Sequence, residues 1–351
     1  MELIQDIRYR RIRRSLRTRF VTALGGKSFL DSVLVRITLK NGARGDGEVP
    51  TSFAVPRESI PAIGEGIRSA RRLLEHTDIE EYPDRLDEFR RLRPDLPMTA
   101  AGIETALFRA ALHALGISEH AFWGGRSAVI QTDITVPYSP EREELSRWLR
   151  SVLRKGFAIF KLKISGNPER DLAYLELVYS LLGEAGRPFT VRLDGNQSYG
   201  AESFLKWIER CRKKGFTPEL VEQPLPAGDL EASAFVRKRA GIPIILDESI
   251  FRLDDLERAV GTGSCDGVNI KIAKSGINEA KRLLDAARSA GLKTMLGCMM
   301  ETMTGLSAAV FMAAGTAEFD YLDLDSVHFL SRPGSCGGIR TTGFRYEIGE
   351  R

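Results

Sequence analysis

Apolar residues along the chain change period twice, and each change marks a new kind of element. Up to about residue 50, short alternating runs read as two or three strands, with turn signals at Gly25-Gly26 and Asn41-Gly42. From about Pro56 to Leu115 the period becomes helical, as in Ile103, Ala106, Leu107, Ala110 and Ala111, with Pro94 and Pro97 as punctuation. Strands followed by helices predict a separate α+β domain over 1–125. After about Ser127, β-branched runs alternate with amphipathic stretches. Eight strands are predicted: Val129 to Val136, Phe160 to Ile164, Thr190 to Asp194, Leu220 to Gln223, Ile244 to Asp247, Gly267 to Ile272, Thr294 to Gly297 and Tyr321 to Asp325.

Strand and helix in alternation imply parallel pairing with right-handed crossovers, and eight such units close into a β/α barrel. Lys163, Asp194, Glu222, Asp247, Lys271, Cys298 and Asp325 follow one another at steps of 24 to 31 residues, the length of one repeated unit. The fold class expected is therefore α/β, a TIM-like barrel over 126–330 with the N-terminal domain as a cap.

The active site of such a barrel lies at the carboxyl ends of its strands. There the sequence places Asp194, Glu222 and Asp247 on consecutive strands. Three like charges at one mouth repel one another unless a cation neutralises them, and hard oxygen donors suit Mg²⁺. Lys161 and Lys163 precede this acidic arc and Lys271 follows it. Residues two apart on a strand share a face, so Lys161 and Lys163 point the same way. In an apolar strand whose outer face is covered by helices, that way is the mouth. Burial and a neighbouring metal both lower a lysine pKa, which suits an amine to proton transfer near neutral pH. Two lysines flanking one metal-bound carboxylate predict removal of an α-proton on one face and its return on the other. Asp323 and Asp325, again two apart, suit a substrate ammonium group.

Composition narrows this picture without redirecting it. With 43% hydrophobic and 28% charged residues in 351, the chain is that of an ordinary globular protein with a large core and a smaller domain. A net charge of +4 set against 51 basic and 47 acidic side chains provides no basis for nucleic acid as a partner. No apolar run is long enough to span a membrane, and no signal-peptide stretch is evident. Four widely spaced cysteines, Cys211, Cys265, Cys298 and Cys336, point to a reducing, cytoplasmic setting. Seven arginines between Arg8 and Arg19 read as the solvated face of a strand whose Ile12, Leu16 and Phe20 turn inward. Of the histidines, His76, His113 and His120 are expected to be structural, whereas His328 stands just beyond the Asp pair and is a candidate for the pocket wall.

The motifs Lys161-Leu162-Lys163, Asp194-Gly195-Asn196, Glu222-Gln223-Pro224, Asp247-Glu248-Ser249, Asn269-Ile270-Lys271 and Asp323-Leu324-Asp325 are weak singly and specific in this order. Together they resemble the enolase superfamily, in its muconate-lactonizing subgroup and among its dipeptide epimerases. Lysine bases with Mg²⁺ are that superfamily's known chemistry.

The resemblance covers essentially the whole chain. It implies one Mg²⁺ per subunit on Asp194, Glu222 and Asp247, with Lys163 and Lys271 as acid/base catalysts and Lys161 beside the substrate carboxylate. Asn196 and Glu248 would support the ligands. Asp323 and Asp325 would hold the α-ammonium of an L,L-dipeptide whose second residue is epimerised. Backbone near Cys298 and Met299 would meet the substrate carboxylate. The cap would act as lid and selector through loops near residues 18–27 and 50–56, which hold Gly25 and Phe53, and the segment 331–351 would return to it.

Ala-Glu-specific relatives carry an arginine where this chain reads Ala23-Leu24-Gly25, so strict Ala-Glu specificity is not expected. Arg19 and Lys27 are the remaining candidate cations, and Phe53 favours an apolar side chain. Arg109 replaces a usual aspartate on the lid helix, and the tail after Gly343 is shorter than the family implies. A homo-oligomer is expected by the same resemblance. A muconate-type cycloisomerase, a succinylbenzoate synthase and a racemase of N-acylated amino acids share the metal and the lysines. A barrel kept as a binding protein is the remote alternative.

Overall fold

The computed structural model describes residues 2–349. Its first domain is an antiparallel sheet of β1 (Ile4–Thr22), β2 (Gly25–Leu39) and β3 (Arg44–Pro50), backed by α1 (Ile60–Leu74), α2 (Tyr82–Leu92) and α3 (Pro97–Leu115). The first hairpin turns at Ala23-Leu24 rather than at Gly25-Gly26. Thr22 pairs with Gly25, and the Thr22 hydroxyl accepts from Leu24 N at 3.2 Å, so the glycines already belong to β2. The arginines of β1 lie mostly exposed, while Ile12 is buried against Leu30 and Leu330. Sheet and helix approach closely where side chains are missing: a Cβ on Gly47 would lie 2.0 Å from the carbonyl oxygen of Gly102 in α3. Any larger residue at Gly47 would push β3 off that helix.

After a short helix α4 (Glu119–Phe122) and strand β4 (Val129–Gln131) comes the barrel. Its strands are β5 (Ile134–Val136), β6 (Ile159–Lys163), β7 (Thr190–Asp194), β8 (Val221–Glu222), β9 (Ile244–Leu246), β10 (Gly267–Ile270), β11 (Lys293–Gly297) and β12 (Tyr321–Asp323), adjacent in that order and parallel. The helices that alternate with them are α5 (Arg142–Arg154), α6 (Pro168–Gly183), α7 (Ala201–Lys213), α8 (Leu230–Ala240), α9 (Leu253–Thr262), α10 (Ile272–Ser275), α11 (Ile277–Ser289), α12 (Met303–Thr316) and α13 (Ser326–Phe329). Leucine, isoleucine and valine on the outer strand faces pack against these helices in two large clusters.

The predicted first strand, Val129 to Val136, is in fact two. It breaks at Thr132 and Asp133, where the chain leaves one sheet and enters another: Thr132 N bonds to Phe344 O at 3.0 Å and Asp133 N to Leu322 O at 3.3 Å. The barrel seam between β5 and β12 is tied largely by side chains. Thr132 Oγ1 accepts from Leu324 N at 2.7 Å, and Asp325 Oδ2 from Thr135 N at 2.6 Å.

The tail also departs from expectation. Ser331 does bond to Ser15 of the cap at 3.0 Å, but β13 (Ile339–Thr342) and β14 (Arg345–Ile348) then form a three-stranded sheet with β4. Burial of Tyr346, whose hydroxyl donates to Leu324 O at 2.5 Å, anchors this hairpin to the barrel seam rather than to the cap. No helix among the described residues is long and apolar enough to cross a membrane.

Cap and barrel are joined by buried polar contacts. Glu48 of β3 accepts from Thr302 N with both oxygens at 3.1 Å, at the start of α12. Arg109 bonds to Asp46 O, Thr304 O, Ser307 Oγ and Glu119 Oε1, all within 2.8 Å. Arg109 is thus a four-way clamp between cap, connecting helix and barrel.

Candidate active site

The predicted site residues gather at the carboxyl end of the barrel. One cavity beneath the cap is lined by Lys161, Lys163, Asn196, Asp247, Glu248, Lys271, Cys298, Met299, Asp323 and Asp325, with Phe53 from the cap. Asp194 and Glu222 lie under its floor, fully buried and adjacent in register on β7 and β8. Gly25 is not part of the wall. A Cβ there would come within about 3.0 Å of the Phe53 ring, so this glycine, at φ +150°, leaves room for Phe53 instead.

Alternation along β6 places Lys161 and Lys163 on the inner face, both almost fully buried. Lys161 Nζ sits 2.6 Å from Asp323 Oδ2, 2.6 Å from Glu222 Oε2 and 3.0 Å from Asp194 Oδ2. Lys163 Nζ reaches Asp194 Oδ2 at 2.5 Å. Lys271, one residue past β10, reaches Asp247 Oδ2 at 2.7 Å. Counted from β5, β6 is the second strand and β10 the sixth, so Lys163 and Lys271 face each other across half the circumference of the barrel.

These contacts set the electrostatics. Burial by itself would push Lys271 down, but Asp247 and Glu222 outweigh it and hold the ammonium above the ordinary lysine range. Burial of Lys161 is likewise outweighed, by Asp194 and Asp323. The expected lowering of lysine pKa by desolvation is therefore reversed for these two by their carboxylates. Burial and then Asp194 push Glu222 up to about 7, whereas burial of Asp323 is overcome by Lys161, which brings it to about 2. Burial followed by the neighbouring Asp323 raises Asp325 to about 6.

Asp194 and Glu222 end their strands, Asp247 directly follows the next, and the three offer only oxygen, the donor set that suits Mg²⁺. Beside them Glu248 Oε2 is buried with no hydrogen-bond partner, while Glu248 Oε1 accepts from Asn196 Nδ2 at 3.0 Å. Glu222 Oε2 also lacks a bond of good geometry despite its proximity to Lys161. Such orphaned buried acceptors fit a hard cation. Lys161 bridges Asp194 and Glu222, and Lys271 bridges Asp247 and Glu222. Among the described residues, the trio whose oxygens come within 4.8 Å of one another is Asp133, Asp323 and Asp325.

Several contributors escaped the sequence reading. Lys274 is fully buried and donates to Asp247 Oδ1 and to Asp247 O, each at 2.6 Å. Its signal was present, a second lysine three residues beyond Lys271. Asp133 and Thr135 carried no charge pattern of their own, because the break in the first strand was not visible. The cap contributes Phe20, Thr22, Leu24, Lys27 and Thr51 to the cavity wall, all within the two loops expected to select the side chain. Met299 N is engaged by Glu301 Oε1 at 3.2 Å. His328, the candidate for the pocket wall, lies outside the cavity lining. It packs edge-on against Phe157 with ring centroids 5.1 Å apart, and burial lowers it to about 4.

Residues 144–347 match the enolase C-terminal domain-like family. The chain belongs to the enolase superfamily. Among similar curated proteins, the hydrophobic dipeptide epimerase of Citrifermentans bemidjiense is 30% identical over 93% of this chain and 90% of its own length. The L-Ala-D/L-Glu epimerase of Bacillus subtilis is 30% identical over 92% and 88%. A substrate-liganded structure of the latter superposes with a TM-score of 0.91 at 29% identity, covering 99% of this chain and 96% of that one. The dipeptide epimerase of Enterococcus faecalis, complexed with Mg and L-Leu-L-Tyr, gives 0.91 at 26% identity over 99% and 98%. The barrel with its N-terminal sheet domain is thus the architecture of this superfamily.

Proposed function

We propose that this superfamily member is a Mg²⁺-dependent dipeptide epimerase, an isomerase that converts L,L-dipeptides to L,D-dipeptides at the α-carbon of the second residue. The observation that carries the reading is the opposition of Lys163 and Lys271 across one cavity that also holds the Asp323 and Asp325 pair. Dipeptide epimerases among the relatives, and the Mg and dipeptide in one neighbouring structure, support it.

Asp194, Glu222 and Asp247 would hold one Mg²⁺ per subunit. When bound, the cation supplies positive charge that stabilises the negative charge developing on the substrate carboxylate. Asp247 and Glu222 hold the Lys271 ammonium less tightly once their charge is shared with that cation, and one lysine, as the neutral amine, removes the α-proton. The carbon becomes planar, and the ammonium of the opposite lysine delivers a proton to the other face, which inverts the centre. Lys161 adds charge beside the carboxylate, and Asp323 with Asp325 grips the α-ammonium and fixes the register of the chain. Phe20, Leu24, Phe53, Met299 and Met300 cover the cavity and exclude water from the exchanged proton.

The test is incubation of Mg²⁺-loaded protein with a mixed library of L,L-dipeptides in D₂O, read by mass spectrometry. Gain of one deuteron at the second α-carbon is expected. Absence of exchange with every dipeptide, alongside turnover of N-acylated amino acids or a muconate-type substrate, would overturn the reading.

A further inference from the structure

The barrel seam holds a third carboxylate behind the Asp323 and Asp325 pair. Asp133 is 1% exposed and does not line the cavity, yet one of its oxygens lies within 4.8 Å of an oxygen of each partner. Its Oδ2 accepts from Arg192 Nη1 at 2.8 Å, and its Oδ1 is buried with no donor. Asp323 repeats the pattern, with Oδ2 receiving Lys161 and Oδ1 receiving nothing. Asp325 makes no ion pair with a described residue and is held by Thr135 N.

The local charges do not balance. Among the described residues two cations are in ion-pair contact with the three carboxylates, and both are shared, Lys161 with Asp194 and Glu222 and Arg192 with Glu219, while Lys163 and Lys271 act on Asp323 from farther away. Burial and then the neighbouring Asp323 hold the Asp133 carboxyl well above the ordinary carboxylate range, so the cluster carries its third charge when a cationic group joins it, and the two members that face the cavity show where that group enters. If Asp133 served only to anchor Arg192, a neutral acceptor would do as well, and the bare Oδ1 would be a cost without a return.

We propose that Asp133 is a positioning residue for the dipeptide ammonium, a third carboxylate that never touches the substrate but deepens the negative field through which Asp323 and Asp325 bind it. The inference rests on the dipeptide reading above. It separates charge from structure: the clamp should weaken when Asp133 loses its charge even if Arg192 keeps its partner.

Asp133→Asn preserves an oxygen for Arg192 and removes the charge. Initial rates at saturating Mg²⁺ are compared for a free dipeptide and its N-acetylated counterpart, with Glu219→Gln as the control that disturbs Arg192 from the exposed side. The expected result is a KM for the free dipeptide raised about tenfold, the order for one charge acting across a few ångströms of partly screened protein. kcat should stay within about twofold of the original. KM for the N-acetylated compound and both constants of Glu219→Gln should not move. If Asp133→Asn does not fold, Asp133→Ser keeps a hydroxyl acceptor and is held to the same pattern. An unchanged KM for the free dipeptide, or an equal rise for both compounds, would overturn the role of Asp133 alone. No turnover of any dipeptide by the unaltered protein would overturn it together with the reading on which it rests.

Discussion

The ammonium of Lys274 lies 2.6 Å from Asp247 Oδ1 and 2.6 Å from the same residue's carbonyl oxygen, so one buried cation fixes both the side chain and the backbone of a proposed metal ligand. Lys274 donates to Ile250 O at 2.9 Å as well. Removing one partner of a buried ion pair is costly, but Asp247 keeps Lys271 on its other oxygen at 2.7 Å. Lys274→Met should therefore destabilise the protein in chelator by less than the roughly 3 to 5 kcal/mol of a fully uncompensated buried charge. Added Mg²⁺ should restore more stability than it adds to the original protein, because the cation then compensates a carboxylate that has lost one of its two lysines. Thermal unfolding with and without Mg²⁺ checks this, and an equal Mg²⁺ shift in both proteins would count against Asp247 as a ligand.

Lys163 and Lys271 face one another from the second and sixth strands. Each is required once per inversion in a two-base scheme. Lys163→Ala and Lys271→Ala should each lower epimerisation by roughly 10³-fold or more, with Mg²⁺ binding retained by calorimetry. Full activity in either variant contradicts the scheme.

Lys27 is the cation that the cap brings to the cavity. Its Nζ bonds to the carbonyl oxygen of Thr51 and lies 5.1 Å from the Phe53 ring centroid, and no described carboxylate pairs with it. Burial lowers its pKa to about 8. A dipeptide with an acidic second side chain should gain from this charge, whereas an apolar one should gain from Phe53. Lys27→Met is expected to reduce kcat/KM about tenfold for acidic second residues and to leave apolar ones nearly unchanged. In the original protein that preference should be present below pH 8 and fade above it as the lysine loses its proton. Competition between the two substrate types across pH 6.5 to 9.5 would reveal a flat ratio if Lys27 plays no part.

Glu301 is buried behind Met299, and burial followed by the nearby Glu48 raises it to about 8 from an ordinary 4.5. The folded chain thus keeps a proton that the unfolded chain releases. Stability should fall as pH rises from about 4.5 to about 8. Glu301→Gln carries no such penalty. Its advantage in denaturant midpoint should be absent near pH 4, grow through that window and level off above it, at a few kcal/mol at most. A constant difference at all pH values would mean that Glu301 titrates normally.

Several placements were legible in order and spacing alone. Charged residues recurring at strand ends at steps of one βα unit place Lys163, Asp194, Glu222, Asp247, Lys271 and the Asp pair at one mouth, because a strand's period is short and parallel closure leaves few alternatives. Arginines with Ile12, Leu16 and Phe20 between them likewise predicted a strand with one wet face. Gly25 failed as a contact because its part is to make room, and room is defined by Phe53, which lies on a distant loop.

What the sequence determined by itself was therefore the barrel, its cap and the ring of acids and lysines, since local period and repeat length are written in neighbouring residues. Tertiary structure alone decided which charges meet. The Asp133 and Arg192 pair, the hold of Lys274 on Asp247, the Arg109 clamp and the grip of Glu48 on Thr302 join residues 27 to 254 positions apart in their bonding, apart from the local Arg109 contact with Glu119. Such partners are chosen by burial and distance in the folded chain, where an unpaired charge is costly, and no local pattern encodes them.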